Sequence, residues 1–364
     1  MDVVALGESM VTFLPTRPGR LADAPAFDRT IGGAESNVAC ALAAAGHSVR
    51  WVSRVGADGF GDHLTETIGS YGVDVTRVTR DPERPTGVYF RTAADRATAE
   101  HEVAYYRAGS AASAMTVDNV DLTAVRAARV LHLSGITAAL SGDCLELMRE
   151  LTAPRPGRPL VSFDVNFRPA LWRDADGPRV LLELARRADI VFVGDDEARE
   201  AWGLRDGRAV LDALPGPGLV VVKQGPDGAF VAGDATGGAE IAAGAETADG
   251  GEATGVPGGT GEGGGTLTRV PAPRVDVVAH VGAGDAFAAG FLSATLRGLP
   301  LRDRLRHGHL MAAATLTVPG DLAAPPSRSH ADRLTALDDD AWGRLRLGPG
   351  WTQAERADEE ADTP

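Results

Sequence analysis

Lysine is nearly absent from this chain: Lys223 is the only one, and arginine supplies the rest of the 36 basic residues. Acidic residues number 50, leaving a formal net charge of -14. That balance argues against nucleic acid or an anionic membrane as the main partner, since both are polyanions. Cysteine is scarce as well. Cys40 and Cys144 are the only two, both in apolar, helix-like contexts without metal or redox spacing, so buried free thiols of a cytoplasmic protein are expected. No apolar run approaches the ~20 residues of a membrane span. Residues 1–6 lack a basic leader region and read as a first strand. Tyrosine occurs only four times, which favours use of the Tyr89 and Tyr105 hydroxyls over mere packing.

What is present is an alternation of short apolar strands with helical patterns. Strands are expected at 3–6, 49–54, 130–133, 160–163, 190–193 and 219–222. Helices are expected at 34–45, 59–71, 141–152, 178–188 and 196–202. This βαβ rhythm predicts an α/β fold: a doubly wound, mostly parallel sheet with ligands at the carboxyl ends of its strands. One domain is expected over residues 1–345. Short alternating runs within 10–31 and 87–107 predict a small separate β-sheet, a lid over the main one. An edge of that lid is open to pairing in a homo-oligomer. Residues 233–268 are rich in Gly, Ala, Thr and Glu and predict a flexible insertion in a hairpin. The acidic residues 346–364 are expected to be a disordered tail.

The stretch Val281-Gly282-Ala283-Gly284-Asp285-Ala286-Phe287 carries the most chemistry. It is expected between a buried strand at 275–278 and a helix whose apolar face repeats at Phe287, Phe291, Leu292 and Leu296, up to Gly298. Glycines without Cβ let backbone N–H groups approach a ligand. A helix start offers unpaired donors and partial positive charge that suit phosphate. Phosphate repels carboxylates, so Asp285 more plausibly meets a proton. Amides holding a transferring phosphoryl group beside a base describe a small-molecule kinase. For these residues alone a plain strand-to-helix turn capped by Asp285 is the commoner reading, since short glycine motifs are weak signals.

Other candidates are weaker singly. Gly32-Gly33-Ala34-Glu35-Ser36-Asn37 opens a second glycine-rich helix, where Asn37 offers a donor and an acceptor to sugar hydroxyls, or simply a cap. Asp164-Val165-Asn166-Phe167-Arg168 follows an apolar strand; Arg168 and Arg107 are suited to bidentate contact with a carboxylate, or to solvent. Lys223-Gln224-Gly225-Pro226-Asp227-Gly228 ends a strand in a turn open to a nucleotide or merely reversing the chain. Asp195, Asp196 and Glu197 could meet Mg²⁺ or complement a helix dipole. His307 and His309 lie on different faces of one helix, which disfavours a metal site.

Together these motifs resemble the ribokinase-like, or phosphofructokinase-B, family of carbohydrate kinases, from Val3 to about Arg328. Within it the nearest likeness is to the 2-keto-3-deoxygluconate kinases, carried by Tyr105-Tyr106-Arg107-Ala108-Gly109-Ser110-Ala111, Leu131-His132-Leu133-Ser134-Gly135-Ile136-Thr137 and Asp164–Arg168. The resemblance implies a Rossmann-like core with a β-lid, and MgATP as phosphoryl donor. It implies that Asp285 deprotonates the C6 hydroxyl of a keto-deoxy sugar acid, with the amides of Gly282, Ala283 and Gly284 as anion hole. Gly33, Asn37, Tyr89, Tyr105, Arg107, Asp164 and Arg168 would meet the sugar. Lys223, Gly225, Gly228 and His309 would border the nucleotide, and Glu197 the Mg²⁺. Ala279-His280 replaces Asp followed by Thr or Pro; in many relatives that Asp helps bind a monovalent cation, so the resemblance leaves potassium activation open. Gly194 replaces a usual Asn before the acidic residues. Two other readings stand beside this one: a kinase for fructose, ribose or another deoxy sugar acid, and a catalytically silent sugar- or nucleotide-binding regulator on the same fold.

Overall fold

Nine strands form the main sheet of the computed structural model, which describes residues 1–92, 102–172, 176–233 and 266–353. In chain order these strands and those of two smaller sheets are β1 (Val3–Leu6), β2 (Met10–Pro15), β3 (Phe27–Gly32), β4 (Val49–Gly56), β5 (Val78–Asp81), β6 (Val88–Arg91), β7 (Val103–Tyr106) and β8 (Val130–Ser134). They continue as β9 (Leu160–Asp164), β10 (Ile190–Gly194), β11 (Leu219–Lys223), β12 (Ala229–Gly233), β13 (Thr266–Val270), β14 (Arg274–Val275) and β15 (Arg346–Leu347). The main sheet runs β13-β12-β11-β10-β9-β8-β1-β4-β5. All its pairings are parallel except β11–β12 and β12–β13, which are antiparallel. The chain leaves β1 toward β4 on one side and later returns through β8 on the other. That reversal is the switch point where strand ends part and open a crevice.

Strand residues alternate between two cores, as period-two geometry requires. Val3 and Ala5 join Trp51, Phe192 and Val221 under the helices Ala34–Ala44, Ala283–Leu296 and Leu301–Leu316. Val4 and Leu6 join Leu131, Phe163, Val191 and Val220 under the helices Gly142–Thr152 and Gly177–Ala185 on the other face. Phe192 and Phe291 meet edge to face at 5.4 Å, fixing the helix of the GAGD motif onto the sheet. Cys40 and Cys144 are buried and free.

The lid is a separate sheet in the order β3-β2-β6-β7. Three of its strands fall inside the two interrupted regions and β3 runs one residue past the first, to Gly32; residues 93–101 lie outside the described residues. A stack of Phe13 on Phe90, with centroids 4.8 Å apart, binds β2 to β6.

Three expectations are corrected. The segment before the GAGD turn is not a buried strand: only Arg274–Val275 pairs, with Arg346–Leu347, and Val278 is 44% exposed. Pro271 and Pro273 lack the N–H groups that a ladder needs, so pairing with the main sheet stops at Val270. The insertion is shorter than 233–268, because Gly233 and Thr266 pair at the two ends of the β12–β13 hairpin; residues 234–265 lie outside the described residues. The tail begins later than 346, since β15 is paired and Trp351–Gln353 forms a short 3-10 turn; residues 354–364 lie outside the described residues.

Candidate active site

A cavity of about 640 Å³ opens at the carboxyl ends of the central strands. Its wall includes Glu8 after β1, Asp164 at the end of β9, Glu197 after β10 and Lys223 at the end of β11. Parallel strands aim their last residues the same way, which is why positions so distant in sequence converge. The lid contributes Tyr89 and Tyr105, and the turn Gly282–Gly284 closes the floor with Asp285.

The helix Ala283–Leu296 starts at Gly282, whose φ of 78° is left-handed. A Cβ there would also run into the main-chain carbonyl of Asp321, so glycine is required twice over. No side chain caps this helix start. Its first intrahelical bond runs from the Ala286 N–H to the Gly282 carbonyl at 2.9 Å. The amides of Ala283, Gly284 and Asp285 therefore precede the regular ladder and can serve an anion. The Lys223 ammonium lies 3.5 Å from where a Cβ of Gly284 would stand, putting a fixed cation beside those amides.

Asp285 occupies the first turn, and its Oδ2 accepts a 2.8 Å hydrogen bond from Nδ2 of Asn37. Burial pushes this carboxyl up to about 7, with the nearby Asp164 adding to the rise. The Asn37 hydrogen bond, Lys223 and Arg168 oppose it. A carboxylate poised near neutrality is suited to accept a hydroxyl proton.

The other charges are paired. Lys223 Nζ donates to Asp164 Oδ2 at 2.8 Å. Arg168 Nη1 donates to Glu197 Oε1 at 3.1 Å, and the Gly194 N–H donates to Glu197 Oε2 at 2.9 Å. Arg107 forms an ion pair with Glu8, which also accepts from Ser110 Oγ at 2.5 Å. Tyr105 is 49% exposed and lies 5.4 Å from the buried Tyr89 ring. Gly33 lets the second glycine helix press against the chain at Glu8 and Ser9, where a Cβ would collide with the Glu8 carbonyl.

Gly33, Asn37, Tyr89, Tyr105, Arg107, Asp164, Arg168, Glu197, Lys223 and the GAGD turn thus meet in one cavity. Four expected residues do not line it: Ala283, between two glycines that do, and Gly225, Gly228 and His309. Gly225 and Gly228 shape the β11–β12 turn, with φ of 54° and 113°. His309 is buried behind Phe287, its ring centroid 5.1 Å away, and its Nε2 lies 3.3 Å from the Val270 carbonyl. Lys223 is nearer the base than expected, and Asn37 holds the base instead of standing free. Glu8, Asn166 and Asp321 were not singled out from sequence. Glu8 carried a usable signal, since it follows β1 much as Asp164 closes β9. Asn166 is left-handed with φ of 41°, a conformation Asn tolerates. Asp321 sits in a loop without periodicity.

Among the described residues, no group of three or more His, Cys, Asp or Glu side chains could hold a metal ion. Glu197 spends both oxygens on protein donors, whereas Asp164 Oδ1 is buried without a hydrogen-bond partner. Such a donor set fits Mg²⁺ as the companion of nucleotide phosphates that keeps most of its water, not as a resident ion. No described helix is long and apolar enough to cross a membrane.

The profile described as pfkB family carbohydrate kinase matches residues 1–328. The 2-dehydro-3-deoxygluconokinase of Bacillus subtilis (strain 168) is 33% identical over 90% of this chain and 93% of its own. Fructokinase-2 of Zea mays is 29% identical over 92% of this chain and 94% of its own. The crystal structure of a PfkB protein from Polaromonas sp. JS666 superposes with a TM-score of 0.74 at 33% identity, covering 91% of this chain and 99% of that one. With the family model spanning most of the chain and a relative at 33% identity over nearly its whole length, this chain belongs to the pfkB family of carbohydrate kinases.

Proposed function

We propose that this kinase transfers the γ-phosphoryl group of ATP to the 6-hydroxyl of 2-keto-3-deoxygluconate. The observation that carries the reading is the convergence of Asp285, the Gly282–Gly284 amides, Lys223 and two arginines on one cavity. Asp285 takes the hydroxyl proton as the sugar oxygen forms its bond to phosphorus. The bond from phosphorus to the ADP oxygen breaks, and ADP leaves. The amides of Ala283 and Gly284 and the Lys223 ammonium meet the charge spread over the transferring group. Mg²⁺ arriving with ATP would neutralise phosphate charge near Asp164 and Glu197. Asn37 Oδ1 and Asn166 Oδ1, both buried without a partner, are acceptors for sugar hydroxyls. Arg168 and Arg107 face the same space and suit a carboxylate.

A second reading, phosphorylation of a neutral sugar such as fructose, draws on a specific observation. Both arginines already have carboxylate partners, Glu197 and Glu8. A sugar acid must share or displace them, whereas a neutral sugar need not. The deciding experiment measures ADP formation with 2-keto-3-deoxygluconate, fructose and ribose, each with and without potassium. The proposal expects the acid to give by far the largest kcat/KM, and the potassium arm shows whether Ala279-His280 still supports activation by a monovalent cation. A preference for fructose or ribose overturns the substrate, and binding without product overturns the catalytic reading.

A further inference from the structure

Asp321 has no part in the transfer described above, yet it joins three pieces of the site. It lies in the loop after the helix Leu301–Leu316 and is 5% exposed. Its Oδ1 accepts from Arg91 Nη2 at 2.5 Å, and its Oδ2 accepts from the Tyr89 hydroxyl at 3.3 Å. Both donors belong to β6 of the lid. Arg91 is only 2% exposed. The main-chain carbonyl of Asp321 fills the space that a Cβ at Gly282 would need, and its Oδ2 crowds the Cβ position of Gly32. One residue therefore grips the lid strand with its side chain and backs the anion-hole turn with its backbone.

Stability does not account for such a pair. Desolvating two charges offsets most of their attraction, and apolar replacement of buried pairs is often neutral or stabilising. Here Arg91 Nε is buried without a hydrogen-bond partner as well. What the pair supplies is register. Tyr89 lies against Tyr105 on the cavity wall, so a sugar that shifts or orders β6 acts on Asp321. The close approach of its carbonyl to Gly282 leaves no slack before the amides that face the nucleotide.

We infer that Arg91 and Asp321 are a positioning pair coupling the sugar end of the cavity to the anion hole, so that sugar and nucleotide tighten each other's binding. The inference rests on the sugar-kinase reading. By linkage the effect is reciprocal: each ligand strengthens the other by the same factor.

Calorimetry on the full chain tests it, with adenylyl imidodiphosphate titrated with and without the sugar that the substrate panel selects. Wild type should show nucleotide affinity raised about fivefold or more by sugar, within the usual range for coupled sites. In Asp321→Asn and Arg91→Met that ratio should fall to near one, with Arg91→Lys retaining part of it. Their kcat should fall while the pH limb set by Asp285 stays in place, which a general loss of structure would not produce. Folded variants that keep the wild-type ratio overturn the inference, as does a wild-type ratio of one. Should the single variants fail to fold, the double variant Arg91→Met/Asp321→Leu leaves no orphan charge and carries the test: a wild-type ratio there overturns the coupling. A wild type that phosphorylates no sugar overturns the kinase reading itself, and that result is seen before any variant is made.

Discussion

Asn37 and Asp285, 248 positions apart, are joined by a single 2.8 Å hydrogen bond from Nδ2 to Oδ2. The two residues stand in the first turns of two helices that each begin at a glycine. Asn37 therefore fixes the direction of the carboxylate and favours its charged form. The sequence suggested a sugar contact for Asn37; the geometry gives its amide nitrogen to the base and leaves Oδ1 for a ligand.

Asp285→Asn should lower kcat by about 100- to 10,000-fold, the usual worth of a positioned general base. An amide at this position can still accept from Asn37, so sugar and nucleotide binding should persist. Single-turnover kinetics beside equilibrium binding check both halves, and a variant with near-normal kcat removes Asp285 as the base.

With Asp285 near 7, kcat/KM should rise with pH and level off above neutrality, because only the ionised form accepts the proton. Asn37 lowers this pKa, so Asn37→Ala should move the acid limb to higher pH. A pH–rate profile whose limb stays in place, or moves down, contradicts the assignment.

The same carboxyl shapes stability. Its pKa is about 7 folded against 3.8 in the reference state. Between those values the folded chain holds a proton that the unfolded chain has lost, so stability falls as pH rises from about 4 to about 7. Asp285→Asn removes that loss. Its Tm should exceed wild type above neutrality, and the gap should close toward pH 4. Thermal unfolding of the ligand-free proteins across this range supplies the measurement.

Arg168→Ala should reduce kcat/KM for the keto-deoxy acid far more than for any neutral sugar tested. The guanidinium is half exposed beside its Glu197 contact, so its remaining N–H groups can share a second carboxylate. Equal losses for acid and neutral substrates would remove the reason for assigning an acid.

Most of the main sheet was legible because strands such as β1, β10 and β11 are short apolar runs with buried residues on both faces, whereas β5, Val-Thr-Arg-Asp, carries no such run and was not expected. Leu160–Asp164 and Ile190–Gly194 differ from the expected strands only by a final polar or glycine residue. The GAGD helix was legible for a similar reason, since Phe287, Phe291 and Leu292 keep one period into a single core. What escaped depends on contacts between distant segments. Val277 and Val278 are apolar but lie past the point where two prolines end the main-sheet ladder at Val270, and Val278 gives its N–H to the Leu316 carbonyl at 2.7 Å instead of to a strand. Asp321 has no pattern around it; only folding brings it to Arg91 and Gly282. The pairings of Arg107 with Glu8 and of Arg168 with Glu197 were hidden likewise, because sequence shows that arginines exist and not which carboxylates reach them first.

The lone lysine has a practical consequence. Lys223 lies in the cavity, bound to Asp164, with its side chain 18% exposed. No other side chain of the sequence carries a primary amine. An acylating reagent thus has one side-chain amine to address, and it stands beside the base. Its labelling competes with the Lys223–Asp164 contact, so the extent of acylation at Lys223 reads out the state of the cavity.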